Sequence, residues 1–146
     1  MRGRIDPRGP RFTATITVLV FAVVLLLSDT APKAAAVIAG VQAVLFAIGA
    51  GLGVQKTPTG LIFRAVVRPR LTPPEDLEDA RPPRFAQAVG LVFALLAAIG
   101  LATGAILLGQ LAAALAFIAA LLNAAFGFCL GCELYLAGLR IRRRPA

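Results

Sequence analysis

Cys129 and Cys132 stand three positions apart in the run Asn123-Ala-Ala-Phe-Gly-Phe-Cys-Leu-Gly-Cys-Glu-Leu-Tyr135, and the chain has no other cysteine. A Cys-x-x-Cys pair can cycle between two thiols and a disulfide, or pass on sulfur as a persulfide. Little else offers chemistry: histidine and tryptophan are absent, and the seven carboxylates fall mostly in loops. Any activity of the chain alone is expected to pass through this dithiol, and a stand-alone enzyme is not expected. A closed zinc site needs four ligands, and one thiol pair supplies two. Two copies meeting through Gly127 and Gly131 would supply four thiolates, but no metal or cofactor is expected.

On one unbroken helix, a spacing of three puts both cysteines on the same face. Their backbones then fall near the roughly 4.4–6.8 Å that a disulfide tolerates. Asn123, Phe126, Cys129 and Cys132 form a ladder up that face, with Asn123 and Glu133 placed to orient the pair. The pair then lies toward the C-terminal part of its helix. There the helix dipole, Glu133 and the apolar surroundings oppose a thiolate, and Lys56, Arg84 or Arg140 would have to offset them. The competing reading makes both cysteines small packing residues. In that case a double serine variant keeps function and loses some stability.

The elements that must position this pair are apolar. Of the 146 residues, 59% are hydrophobic, and the mean hydropathy is +0.86. The apolar residues come in blocks separated by short charged stretches. Runs of about 17–25 residues match a hydrocarbon core of about 30 Å at a rise of about 1.5 Å per residue. Four qualify: 12–28, 34–54, 85–108 and 111–139. Backbone polar groups in lipid must be paired internally, so each run is expected to be a helix. The expected fold is all-α, a single domain over 1–146 with four transmembrane helices. The charged start (Arg2, Arg4, Arg8, Arg11) and first run resemble a signal peptide. Pro7 and Pro10 precede that run, however, and no Ala-x-Ala site follows before Asp29, so the run is expected to stay as a span.

The net charge of +8 does not point to nucleic acid, because of where it lies. Arginines precede the first run, and Lys56, Arg64, Arg68, Arg70, Arg81 and Arg84 lie between the second and third. Arg140, Arg142, Arg143 and Arg144 follow the fourth. The opposite connections carry only Asp29, Lys33 and Gln110. This is the positive-inside pattern, with both termini in the cytoplasm and arginines among anionic headgroups. The opposite connections are also too short for an extracytoplasmic domain.

A short stretch repeats. Asp6-Pro-Arg-Gly-Pro-Arg-Phe12 returns as Asp79-Ala-Arg-Pro-Pro-Arg-Phe85, with five of seven residues identical at an offset of 73. Each copy leads into two spans, so two duplicated hairpins of the same orientation are expected. A local explanation also serves, since proline, arginine and phenylalanine suit a helix that starts at the interface. At this offset Lys56–Thr59 corresponds to Cys129–Cys132. Between the halves, the loop 55–84 is expected to hold a short amphipathic helix at Gly60–Arg68, ended by Pro69. The acidic stretch Thr72–Asp79 is expected to be a solvated loop.

Small residues recur at a spacing of four: Ala43 and Ala47, Gly49 and Gly53, Gly100 and Gly104, Gly127 and Gly131. They favour close helix packing. Gln42 and Asn123 lie deep in the second and fourth spans. They are expected to face the interior and to share a hydrogen bond worth roughly 0.6–2 kcal/mol.

The blocks Ile5–Phe12, Arg68–Leu71, Pro82–Gly90 and Asn123–Tyr135 together resemble a bacterial membrane family, domain of unknown function 4395. The segment Phe126-Gly-x-Cys129-x-Gly131-Cys132 carries the most specific part of the likeness. The resemblance implies a four-span protein of the bacterial plasma membrane with the cysteine pair as its hallmark. It also implies sulfur or redox metabolism, through members encoded beside thioredoxin-like proteins or sulfurtransferases. A redox or sulfur-relay role with such a soluble partner is therefore the leading expectation. A non-catalytic subunit or sulfur-compound permease component is the alternative, and a permease of four spans would need a homo-oligomer.

Overall fold

The protein is described from a computed structural model over residues 3–144, so Arg2 lies outside the described residues. In chain order the elements are β1 (Arg4–Ile5), α1 (Arg8–Leu27), α2 (Pro32–Leu52), α3 (Pro58–Ile62), β2 (Glu78–Asp79), α4 (Arg81–Thr103), α5 (Ile106–Phe126) and α6 (Leu130–Arg143). The fold is all-α. The helices α1, α2, α4 and α5 are long and apolar enough to cross a bilayer. Their outward faces carry Leu19, Leu26, Val37 and Leu107, each at least 60% exposed, as lipid-facing side chains are.

Each long helix starts before its apolar run: at Arg8 rather than 12, Pro32 rather than 34, Arg81 rather than 85, and Ile106 rather than 111. Pro10, Pro32, Pro82 and Pro83 sit in first turns, where a missing N–H leaves no bond unmade. The second tight connection is Gly104-Ala105, five residues earlier than the expected Gly109-Gln110. Gln110 instead lies in α5, where its Nε2 donates to Ser28 Oγ at 3.0 Å and to Asp29 Oδ1 at 2.9 Å. This ties the start of α5 to the end of α1.

The two hairpins interlock. α2 packs most extensively on α4, and α1 packs on α5 more than on α2. Phe21, Val24, Ala35, Ala39, Ala94, Ala97, Leu101 and Ala113 fill the core. The Phe21 and Phe46 rings stack with centroids 6.4 Å apart.

The repeated heptapeptide folds the same way twice. The Asp6 carboxylate accepts from the Arg8 backbone N–H at 3.0 Å and pairs with its guanidinium at 2.8 Å. Asp79 does the same with Arg81, at 2.9 and 2.7 Å. Arg11 reaches across to the end of α5, donating to the Ala124 carbonyl at 3.3 Å. Arg84 likewise reaches the end of α2, donating to Ala50 at 3.1 Å and Gly51 at 2.6 Å. Each half thus caps the other half's second span. β1 and β2 pair antiparallel, with Ile5 opposite Glu78, its own equivalent at the offset of 73. The halves therefore relate as two duplicated hairpins about a pseudo-twofold between β1 and β2.

That pairing also corrects the picture of the central loop. Glu78 and Asp79 are not free, because they pair with Ile5 and Arg4, and the Arg8 side chain donates to the Thr72 carbonyl at 3.0 Å. The amphipathic segment is helical from Pro58 to Arg70, through a π turn at Phe63–Val67 and a 3-10 turn at Arg68–Arg70. Pro69 falls inside its last turn.

Only one member of each Gly-x-x-x-Gly pair packs between helices. A Cβ on Gly100 would lie 2.7 Å from the Gly109 nitrogen, and one on Gly131 would lie 2.6 Å from Ala86. Gly49 packs against Gln87. The partners Gly53, Gly104 and Gly127 have φ of 106°, 86° and 67° and end their helices instead, in conformations that suit glycine. Gln42 is buried at 4% exposure, but no hydrogen bond joins it to Asn123 among the described residues. The reason is topological: α2 and α5 stand diagonally across the bundle, so their deep amides do not meet.

Candidate functional site

The fourth apolar run is not one helix, and this changes the setting of the cysteines. α5 ends at Phe126, where Gly127 turns left-handed and its N–H donates to the Asn123 carbonyl at 3.0 Å. Phe128 and Cys129 are extended or irregular, and α6 begins at Leu130. The expected ladder of Asn123, Phe126, Cys129 and Cys132 on one face is therefore broken at Gly127. Asn123 and Phe126 stay with α5, the latter 78% exposed. The cysteines belong to the start of α6.

Cys129 is the N-cap residue of α6, with φ −85° and ψ 102°. Its Sγ accepts the backbone N–H of Cys132 at 3.3 Å, one of the orphan amides of the first turn. Its carbonyl accepts the N–H of Glu133 at 3.0 Å. The two sulfurs are joined as a disulfide across a Cα–Cα separation of 5.2 Å. The pair thus stands at the positive end of a helix dipole. That is the reverse of the C-terminal position which a continuous helix implies, and here the dipole favours a thiolate. Glu133 is exposed in the first turn of α6 and also suits that end of the helix.

α6 packs on α4 and only slightly on α5. Gly131 permits this, because a Cβ there would lie 2.6 Å from Ala86. Tyr135 anchors the next turn on Phe85, with ring centroids 5.7 Å apart. No residue of α6 is buried, and both cysteines are half-buried. They do not fill the apolar interior.

Two features that bear on the site were not legible from residue types alone. Arg11 stands at the turn before the cysteines, with its guanidinium against Gly127 and on the Ala124 carbonyl, while Arg84 reaches the end of α2 instead. The second is the matching turn in the first half. There Gly53 ends α2, and Thr57 caps α3 by accepting the Gly60 N–H at 3.1 Å. Phe63 packs on Phe12 at 5.8 Å, as Tyr135 packs on Phe85. The Thr13 and Thr59 hydroxyls bond at 3.0 Å, where Ala86 and Gly131 touch in the second half. The structural counterparts of Cys129 and Cys132 are therefore Thr57 and Gly60, one residue beyond the alignment read from the heptapeptide.

Among the described residues, no group of three or more cysteine, histidine, aspartate or glutamate side chains is placed to hold a metal ion. The arrangement can do thiol–disulfide chemistry at the basic end of the bundle.

No curated protein and no solved structure matches the chain. A family model for a domain of unknown function, DUF4395, matches residues 5–140. The matched span takes in both copies of the repeat, the four long helices and α6 through Arg140, and the chain belongs to the DUF4395 family.

Proposed function

We propose that the protein is a thiol-redox or sulfur-relay component of the bacterial plasma membrane, with Cys129 as nucleophile and Cys132 as resolving thiol. One observation carries the reading: the Cys129 sulfur caps the N-terminus of α6 and receives the Cys132 amide. In the reduced pair, that amide and the helix dipole stabilise the Cys129 thiolate, which is the attacking species. The thiolate attacks one sulfur of a partner disulfide, and the displaced partner sulfur leaves as a thiolate and takes a proton. Cys132 then gives up its proton and attacks the Cys129 sulfur, and the second partner thiol is released. The partner gains two electrons and two protons, and the Cys129–Cys132 pair loses them as its disulfide forms. With a persulfide donor, Cys129 takes the outer sulfur and the donor leaves as a thiol. Attack by Cys132 then expels that sulfur as hydrosulfide. A thioredoxin-like protein supplies the electrons that reopen the disulfide, or a sulfurtransferase delivers the sulfur.

The basic end faces the cytoplasm in this reading, in keeping with the arginine distribution. The test is acid quench of living cells followed by a mass-tagging maleimide, on the native protein and each single cysteine variant. A Cys129 disulfide or persulfide that appears under oxidant or thiosulfate and clears afterward supports the relay. Thiols that stay unmodified under every condition sink it.

A further inference from the structure

The first half holds a cavity of about 180 Å³ beside the turn that matches the dithiol turn, lined among others by Arg4, Gln55, Gly60, Phe63, Arg64 and Arg68. A single water needs only about 10–15 Å³ of such space, so a larger polar group fits. Arg8, Arg11, Arg70, Arg81 and Arg84 each donate to a protein oxygen. Among the described residues, the guanidinium groups of Arg4, Arg64 and Arg68 have no protein acceptor. Asp6 also lines the cavity, but Arg8 engages both of its carboxylate oxygens. The lining therefore presents three guanidinium groups with no hydrogen-bonded acid, with Asp6 near Arg68 and Asp79 near Arg4 only at longer range. Gln55 also lines the cavity and carries an amide NH2 donor, and its Oε1 is buried beside Gly53 without a partner.

We infer that this cavity is a phosphate site, in which Arg4, Arg64 and Arg68 hold the oxyanion of a phospholipid headgroup or of free phosphate. Planar guanidinium groups suit paired hydrogen bonds to phosphate oxygens. The cavity lies at the start of α1, where Gly9 and Pro10 border it and the apolar span begins. A headgroup phosphate of the adjacent leaflet reaches that depth, and α1's dipole adds to the attraction. In the second half, Leu77 and Leu136 stand where Arg4 and Arg64 stand in the first. Arg68 is matched by Arg140, so two of the three cations are particular to the first half, as the thiols are to the second.

The test uses the full chain in nanodiscs of equal phosphatidylglycerol and phosphatidylcholine, with lipid retention read by native mass spectrometry. A titration with inorganic phosphate in detergent is run beside it. R64Q/R68Q is expected to lower phosphatidylglycerol retention about thirtyfold, while R142Q/R143Q, which removes the same charge from α6, leaves it unchanged. Gln55→Leu removes no charge and is expected to weaken retention as well, because it takes a donor from the cavity. Binding of inorganic phosphate that R64Q/R68Q abolishes would identify the free anion as the source and support the site equally. Equal losses in the two arginine pairs, or no binding of either probe to the native protein, would overturn it.

Discussion

Thr57 and Cys129 occupy the same place in the two halves of the bundle. Each follows a positive-φ glycine that ends the second span, Gly53 four residues before Thr57 or Gly127 two residues before Cys129. Each then caps a short helix by accepting the N–H of the residue three positions on, Gly60 at 3.1 Å or Cys132 at 3.3 Å. Oxygen serves in one half and sulfur in the other. A sulfur is the weaker acceptor, so capping alone does not explain a cysteine at 129. Reactivity does.

The first half has no room for a second thiol. A Cβ on Gly60 would lie against the Val54 carbonyl and 2.8 Å from the Gln55 Cα. Gly60→Ala is therefore expected to destabilise the fold by about 1–3 kcal/mol through overpacking. Thr57→Ala, which removes the cap, is expected to cost about 1 kcal/mol. Thermal unfolding in detergent reads both, and a Gly60→Ala protein as stable as the native one would contradict the contact.

Much of this arrangement was legible in the sequence, and what was missed has one physical cause. The four spans follow from hydropathy, and the duplication from seven residues. The break at Gly127 was hidden because Phe126, Phe128 and Leu130 continue the apolar run without a charge. Hydropathy does not distinguish a helix from a turn that stays near the interface. Gly127 and Gly131 also read as a packing pair, although only Gly131 packs. The repeat carried only part of the signal. Extended past the heptapeptide at the same offset, however, it sets Cys129 beside Lys56 and misses the capping Thr57 by one residue, because the turn from Gly127 to Cys129 is two residues shorter than the turn from Gly53 to Thr57. Arg11 at the dithiol turn and Arg84 at α2 were out of reach of the sequence, because each crosses to the other half.

The cap predicts unequal thiols. The Cys129 sulfur accepts the Cys132 amide at the start of α6, whereas Cys132 lies within the first turn and donates its own N–H. With C132S, Cys129 is expected to alkylate faster at neutral pH than Cys132 does in C129S, and to accumulate the mixed disulfide that lacks its resolving thiol. Mass-tagged time courses with iodoacetamide compare the two. Equal rates would remove the helix terminus as the source of reactivity.

The two Asp-Arg turns predict acid sensitivity. The Arg8 side chain, aided by its backbone N–H, holds the Asp6 carboxyl below its usual value of 3.8, and Arg81 does the same for Asp79. A carboxylate lowered in this way stabilises the fold at every pH above its ordinary value. That contribution disappears as pH falls through the lowered value. Asp6→Asn is expected to lower the unfolding midpoint at neutral pH, with the gap to native constant above about pH 5 and closing below it. Asp79→Asn is expected to do less, since its side chain is 45% exposed against 7% for Asp6. A gap that widens on acidification would reverse the sign and refute the pairing.

The last prediction separates two glycines of α6 that the sequence does not rank. Gly131 meets Ala86 at a distance that leaves no space for a Cβ, while nothing lies within 4 Å of a Cβ built at Gly138. Both sit inside the helix Leu130–Arg143, where glycine is about 0.5–1 kcal/mol worse than alanine. Gly138→Ala should therefore stabilise by up to about 1 kcal/mol and leave the thiols as they are. Gly131→Ala gains the same propensity but must push α6 away from α4, at about 1–3 kcal/mol. The displaced helix carries Cys132, and the Tyr135 contact with Phe85 goes with it. Slower reoxidation of the dithiol in Gly131→Ala, with native kinetics in Gly138→Ala, is the expected pattern. If both variants reoxidise alike, the docking of α6 on α4 does not position the pair, and the local cap alone holds it.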